Sequence, residues 1–256
     1  MPGTDRFDSL RIRTEGSGDP HPGSNEVRWA MWTAEEADRR IGVVIDDHRR
    51  RNIGFLWFTG PYDSPPDLGE RLRNHGLIRA GDNVTMMRVG LENPDSPFNP
   101  DLEFVLLDAS TDEDTEAALQ VSGRSFNWTS AQINDRRLWW VEQVKGPTAA
   151  HHLLYLGKHS GRPVAFGHVV LKNGIAFMAG AGTLPDYRSQ KVYSTLLRQR
   201  LVDAAARGYR VAVIYAGPMS RRVAVKYGFR AYNQFDIYAW MPEVDMAVIR
   251  SLIVDE

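Results

Sequence analysis

The chain has 256 residues, 43% hydrophobic and 25% charged, with no cysteine and a formal net charge of −1. That length can bury a core without staples, as one large domain or two small ones. The composition excludes disulfides, thiolate metal sites and a cysteine nucleophile, offers no global basic field for nucleic acid or an anionic membrane, and fits a cytoplasmic location.

Residues 1–25 are rich in Gly, Pro, Asp and Ser, lack the apolar core of a signal peptide, and read as a loose lead-in. No run approaches the roughly 18 apolar residues of a membrane span. TAEEADRRIGVVIDDHRRR (33–51) predicts a helix, acidic at its start and basic at its end, with Ile41, Val44, Ile45 and His48 on one face. Asp46, Asp47 and the arginines after them read as a solvated helix face. FLWFTG (55–60) predicts a strand, and PPDLGERLRNHG a short helix entered through prolines and left through glycine. NVTMMRVGL (83–91) predicts a strand, and the proline-rich NPDSPFNPD (93–101) a linker.

A second series follows. EFVLLDA (103–109) predicts a strand, and helices follow in DEDTEAALQVSGRSF and at 130–146. Three strands are predicted at 151–157, 163–171 and 175–183, with turns at HSGRP and KNG. Residues 192–208 predict a helix whose stripe is Val192, Leu196, Leu197, Leu201, Ala204 and Ala205, closed by Gly208. A strand (210–217), a short helix (220–229), a strand (232–240) and a last short helix after Pro242 complete the chain. The order helix, apolar strand ending in Gly-Pro, short helix ending in glycine, strand occurs in both halves, which suggests duplication.

LPDYRSQKVYSTLL (184–197) leads from a strand into a helix. A helix start offers unpaired backbone N–H groups and a partial positive charge, a place for a diphosphate. Arg188 brings a cation there, and Ser189, Gln190 and Ser194 bring neutral donors.

Those residues carry a resemblance. T-L-P-D-Y-R-S-Q-K-V-Y-S-T-L-L is similar to a GNAT-superfamily segment V-x-P-x-Y-R-G-x-G-x-G/Y-x-x-L-L, and the K-Y-G-F close resembles that family's K-x-G-F. The resemblance covers residues 102 to 240. It implies an α/β (α+β) fold: a mixed, mostly antiparallel twisted sheet flanked by helices, in two GNAT-like units. These would be a degenerate N-terminal unit at 26–100 and a complete one at 101–256. It implies acetyl-CoA, or another acyl-CoA, as co-substrate. Arg188, Ser189, Gln190, Lys191, Val192, Tyr193 and Ser194 would hold its pyrophosphate. Gly182, Thr183 and Leu184 would pair with pantetheine, and Ser220 would complete the set. Lys191 and Tyr193 stand where such loops carry glycine. Lys191 either adds attraction for a phosphate or plugs the cradle.

Direct acyl transfer to an amine needs a proton acceptor and stabilisation of an oxyanion. Many GNAT enzymes take the base from a glutamate in the fourth strand, but GIAFMAGAGTL has no acid. Many take the acid from a tyrosine where this chain has Ala224. The remaining candidates are His168 as base and Tyr215 as proton donor, each also readable as core packing. His151 and His152 alternate across a strand, and no metal spacing emerges. Trp139 and Trp140 wall an acceptor pocket or fill the core.

The reading expected first is an acetyl-CoA-dependent N-acetyltransferase acting on a small-molecule amine. The alternatives are a GNAT-fold protein with altered chemistry or donor, and a non-catalytic domain binding a ligand or a partner. No nucleic acid, membrane or metal is expected. The chain would be a monomer or a homodimer, the dimer pairing through an exposed last strand.

Overall fold

A computed structural model describes residues 6–7, 11–14, 20–92, 98–107 and 112–252. Contacts divide the chain into two compact units. One holds the residues up to Val84 and those from Asn233 onward; the other is Thr85–Tyr232. The first residues of the expected linker, 93–97, lie outside the described set, as do 108–109 of the strand expected at 103–109.

The first unit opens with a correction. Residues 1–25 are expected to be a loose lead-in, yet β1 (Arg6–Phe7) and β2 (Arg11–Thr14) pair antiparallel. β2 in turn pairs with β3 (Asn25–Arg28). The ladder to β3 supplies partners that the flanking Gly and Pro residues do not predict.

Helix α1 (Ala34–Arg51) begins at Thr33, whose hydroxyl accepts from the Glu36 N–H, and ends at Asn52 in the left-handed region. Its buried face is Ala37, Ile41, Val44, Ile45 and His48, the predicted stripe plus one alanine. β4 (Phe55–Thr59) runs parallel to β3, and α2 (Leu68–Asn74) ends before Gly76, φ 85°. β11 (Arg230–Trp240) pairs antiparallel with β4, from Asp236 against Thr59 to Trp240 against Phe55. The strand order sets β5 (Ile78–Val89) on the other side of β11, so both of its edges are paired and the exposed last strand expected for a dimer is not found. The order in this unit is β1-β2-β3-β4-β11. Its core gathers Val27, Ile41, Phe55, Trp57, Leu72, Tyr238 and Trp240, with Trp240 stacked on Phe55 at 5.5 Å between centroids. Helix α7 (Met246–Leu252) buries Ile249.

β5 (Ile78–Val89) starts five residues before its prediction and passes into the second unit. There the order is β5-β10-β9-β8-β7-β6. The strands are β6 (Leu102–Leu106), β7 (His152–His159), β8 (Arg162–Lys172), β9 (Ile175–Thr183) and β10 (Val211–Ala216). β6 to β9 form an antiparallel meander, and β10 is parallel to β9. Both hairpin turns have two central residues at positive φ: Ser160 and Gly161, then Asn173 and Gly174. These are type I′ turns, the form that Asn-Gly favours.

Helices α3 (Asp112–Ser125) and α4 (Ser130–Lys145) pack on one face of this sheet, and α5 (Val192–Ala206) on the other. Neighbouring residues of a strand point to opposite faces. Accordingly Phe166 meets Trp140 of α4, while Gly167 faces Leu196 and Arg200 of α5. Helix α4 starts at a full capping box, Thr129 with Gln132. Helix α6 (Pro218–Lys226) follows β10.

Candidate functional site

Two β-bulges shape the sheet around the expected residues. The β8–β9 ladder slips by one between Gly167 and Val169, so His168 lies opposite two residues of β9, Ala179 and Gly180. A bulge bends the strand and leaves backbone groups without ladder partners. The side chain of Arg200, 0% exposed, takes up two of them: Nη2 donates to His168 O at 2.8 Å and Ala179 O at 3.1 Å. A buried arginine beside the predicted apolar stripe of α5 is not legible in its sequence. Its Nε and Nη1 find no acceptor among the described residues. Burial lowers the pKa of Arg200, while the nearby Tyr193 and Tyr155 raise it.

Beyond the bulge, β9 and β10 part. Their ladder ends at Met178 opposite Ile214, although β9 continues to Thr183 and β10 to Ala216. The crevice so formed lies at the carboxyl ends of two parallel strands, the usual place for a ligand in such a sheet. Gly180 on its β9 wall is exposed.

His168 and Tyr215 flank this point. Val170, Phe177 and Val213 are register partners across β8, β9 and β10, so they share one face. His168 and Tyr215 sit two residues along from Val170 and Val213, on that same face, on either side of the β9 bulge. Tyr215 is 44% exposed and meets Phe177 edge-on at 4.9 Å. His168 is 7% exposed, with Trp139 of α4 edge-on to it at 5.6 Å.

His168 also has a partner that the sequence does not announce. Its Nε2 lies 2.8 Å from His152 Nδ1, with the two rings stacked. A plain two-residue hairpin would turn these side chains to opposite faces. A register slip at Gly157/Lys158 shifts β7 by one residue and brings His152 to the His168 face. Burial, then His152 and Arg200, push His168 down to about 3. Burial lowers His152 as well, with His151 adding to it. Both rings are neutral near pH 7. His151 itself belongs to a short 3-10 turn before β7.

The cofactor candidates follow β9. A Cβ on Gly182 would come within 2.6 Å of the Ser125 Cβ and 2.7 Å of the Phe166 ring, so glycine is required there by crowding. Thr183 is buried, with a hydroxyl that has no partner among the described residues, and the Leu184 N–H donates to Val164 O at 2.9 Å. A 3-10 turn (Pro185–Tyr187) leads to Arg188, Ser189, Gln190 and Lys191, all exposed. Asn99 braces this loop: its side-chain amide donates to Gln190 O at 3.1 Å and its N–H to the Thr195 hydroxyl at 2.8 Å. No acceptor among the described residues faces the backbone N–H groups of 189 to 194.

Lys191 is at φ 61° and Ser189 at φ 62°, the region that glycine enters without penalty. The lysine backbone thus adopts a conformation typical of glycine rather than an ordinary one. Tyr193 is helical. Val192 is buried, and Ser194 and Tyr193 are half-buried. The Tyr193 hydroxyl hydrogen-bonds Ser220 in the first turn of α6, and burial raises its pKa. Ser220 also donates to Gly217 O at 3.2 Å. Ala224 is fully buried. Among the described residues no group of three His, Asp or Glu could hold a metal ion, and no helix is long and apolar enough to cross a membrane.

No protein-family model matches the chain, and no curated protein does. Solved structures do. A GCN5-related N-acetyltransferase from Kribbella flavida superposes with a TM-score of 0.70 at 14% identity, covering 96% of this chain and 90% of that one. A GCN5-related N-acetyltransferase from Sphaerobacter thermophilus gives 0.65 at 12%, over 92% and 78%. A tandem GNAT protein from the clavulanic acid biosynthesis pathway gives 0.55 at 12%, over 94% and 86%.

Proposed function

From the GNAT fold that these structures share with the chain, we propose that it is an N-acyltransferase, taking an acyl group from acetyl-CoA or another acyl-CoA to the amine of a small molecule. One observation carries this reading: β9 and β10 part beside a loop with unpaired amides. That combination suits a pantetheine chain lying between the strands and a pyrophosphate at the start of α5. In this reading Arg188 and the amides from Ser189 to Ser194 hold the pyrophosphate, while Gly182, Thr183 and Leu184 line the pantetheine. Ser220 lies with Tyr193 at the α6 end of the crevice. The N-terminal unit is a degenerate copy without a loop of its own, and the protein works in the cytoplasm as a monomer or a dimer.

The chemistry is direct transfer. The amine nitrogen attacks the thioester carbonyl carbon, the C–S bond breaks, and the nitrogen proton ends on the sulfur. His168 and Tyr215 flank the exposed β9 bulge and are the candidates for moving that proton. A bulge takes backbone N–H groups off the ladder, and such groups suit a developing oxyanion.

A second reading, a ligand-binding protein without catalysis, is favoured by the buried Ala224 and by the low pKa of His168. Calorimetric titration with acetyl-CoA, CoA and desulfo-CoA separates the two, together with thiol release in the presence of amines. The enzyme should bind acetyl-CoA at micromolar concentration and release CoA. Binding without turnover favours the second reading, and absence of binding at millimolar ligand overturns both donor assignments. Arg188→Ala should raise the Kd for CoA about tenfold, the loss of one charge-assisted contact. An unchanged Kd would remove the pyrophosphate from this loop.

A further inference from the structure

The sheet face that carries His168 and Tyr215 is walled by rings. Phe126, 41% exposed, stacks on Trp128 at 5.7 Å and meets Phe166 edge-on at 5.6 Å. Trp128 and Trp139 are partly open, and Trp139 meets His168. These side chains come from the α3–α4 connection and from α4. They stand over the β9 bulge, opposite the face covered by α5. An apolar wall of rings recognises another ring, face-on or edge-on.

The Arg136 guanidinium lies 5.4 Å from the Trp128 ring and 6.0 Å from the Trp139 ring. An alkylamine arrives as an ammonium near pH 7 and must first lose a proton to a base. The groups in contact here are two imidazoles joined to each other at 2.8 Å, both held neutral by burial. They are too weak to deprotonate an alkylammonium. They can take the far more acidic proton of the nitrogen after it has attacked.

Resting on the acyltransferase reading, we propose that the acceptor is a weakly basic aromatic amine, whose ring lies against Phe126, Trp128 and Trp139 and whose nitrogen sits over the β9 bulge between His168 and Tyr215. Such an amine is already uncharged near neutrality. Its lone pair attacks the acyl carbonyl carbon, a C–N bond forms and the C–S bond breaks. The nitrogen proton passes to the His168–His152 pair, Tyr215 protonates the departing thiolate, and the proton held by the imidazoles restores the phenol through solvent. The products are an anilide and free CoA thiol, with no oxidant or metal involved.

The test uses the full chain, acetyl-CoA and three amines at pH 7.5: aniline, benzylamine and cyclohexylamine. Aniline and benzylamine share a ring and differ in basicity, while cyclohexylamine lacks the aromatic ring. Aniline should exceed both others in kcat/KM by at least tenfold. Trp139→Ala should raise the KM for aniline about tenfold and leave the Kd of acetyl-CoA unchanged, while Trp139→Phe, which keeps a ring, should restore most of the loss. A preference for benzylamine or cyclohexylamine overturns the proposal. So does acetyl-CoA binding without aniline acetylation, which leaves the donor site standing. Failure to bind acetyl-CoA overturns the acyltransferase reading itself, and this inference with it.

Discussion

Lys191 does with a lysine what glycine does elsewhere. Its φ of 61° and ψ of 13° place a Cβ in the left-handed region, at a cost of about 1–2 kcal/mol. Lys191→Gly should therefore gain up to about 1 kcal/mol in urea unfolding, after the extra chain entropy of glycine is subtracted. A loss would mean that the exposed ammonium holds something in place. The same variant reads out the cradle: tighter CoA binding means that the side chain obstructs it, weaker binding that it anchors phosphate. His48 makes a different prediction. It is fully buried, with Nδ1 2.8 Å from Val44 O, and burial lowers its pKa. The unfolded chain takes up a proton there near about pH 6.5, the native chain only at lower pH. Its contribution is complete above that value and is lost as pH falls through the native pKa. Urea midpoints should fall from pH 7 to pH 5, and His48→Leu should make that fall shallower. An equal slope in both proteins would show that His48 does not titrate differently on folding.

At the scale of elements, the second unit turns on its bulges. The sequence foretells the hairpins through Ser-Gly and Asn-Gly, and it foretells α5 through its stripe. It does not foretell a one-residue slip, because the slip is set by what packs on the two faces. One slip pairs His152 with His168, and the other opens the β9 backbone to Arg200. Removing Arg200 leaves the buried His168 carbonyl and the part-buried Ala179 carbonyl without this donor, at about 1–3 kcal/mol for a buried group. Against that stands relief of a buried guanidinium with two nitrogens unpaired, itself a penalty of similar order. Since the His168 carbonyl is buried, Arg200→Met should lower stability by about 1–3 kcal/mol in thermal or urea unfolding. An unchanged or higher Tm would mean that the bulge holds without its clamp.

On the scale of the whole molecule, the first unit is assembled from both ends of the chain. Tyr238 and Trp240 of β11 belong to the same core as Phe55 and Trp57 of β4. The sequence reading draws a boundary near residue 100, whereas the contact-defined units assign the residues from Asn233 onward to the N-terminal unit. A chain of residues 101–256 would carry β11 without β4 and expose those aromatics. It should fail to unfold cooperatively in calorimetry, while the full chain does so. Cooperative unfolding of the fragment would support the boundary at 100.

What the sequence by itself determined is local: the helices with their caps, the two I′ turns, and the loop from Pro185 into α5 with its unpaired amides. Caps, turns and the 3.6-residue stripe act within a few residues, so they are legible in one chain. The tertiary structure decided that Arg200 is buried, that His152 meets His168, that His168 and Tyr215 flank the same bulge, and that β11 is paired. Each of these depends on a strand register or a distant partner, and register is fixed by what the sheet buries on each face rather than by neighbours in the chain.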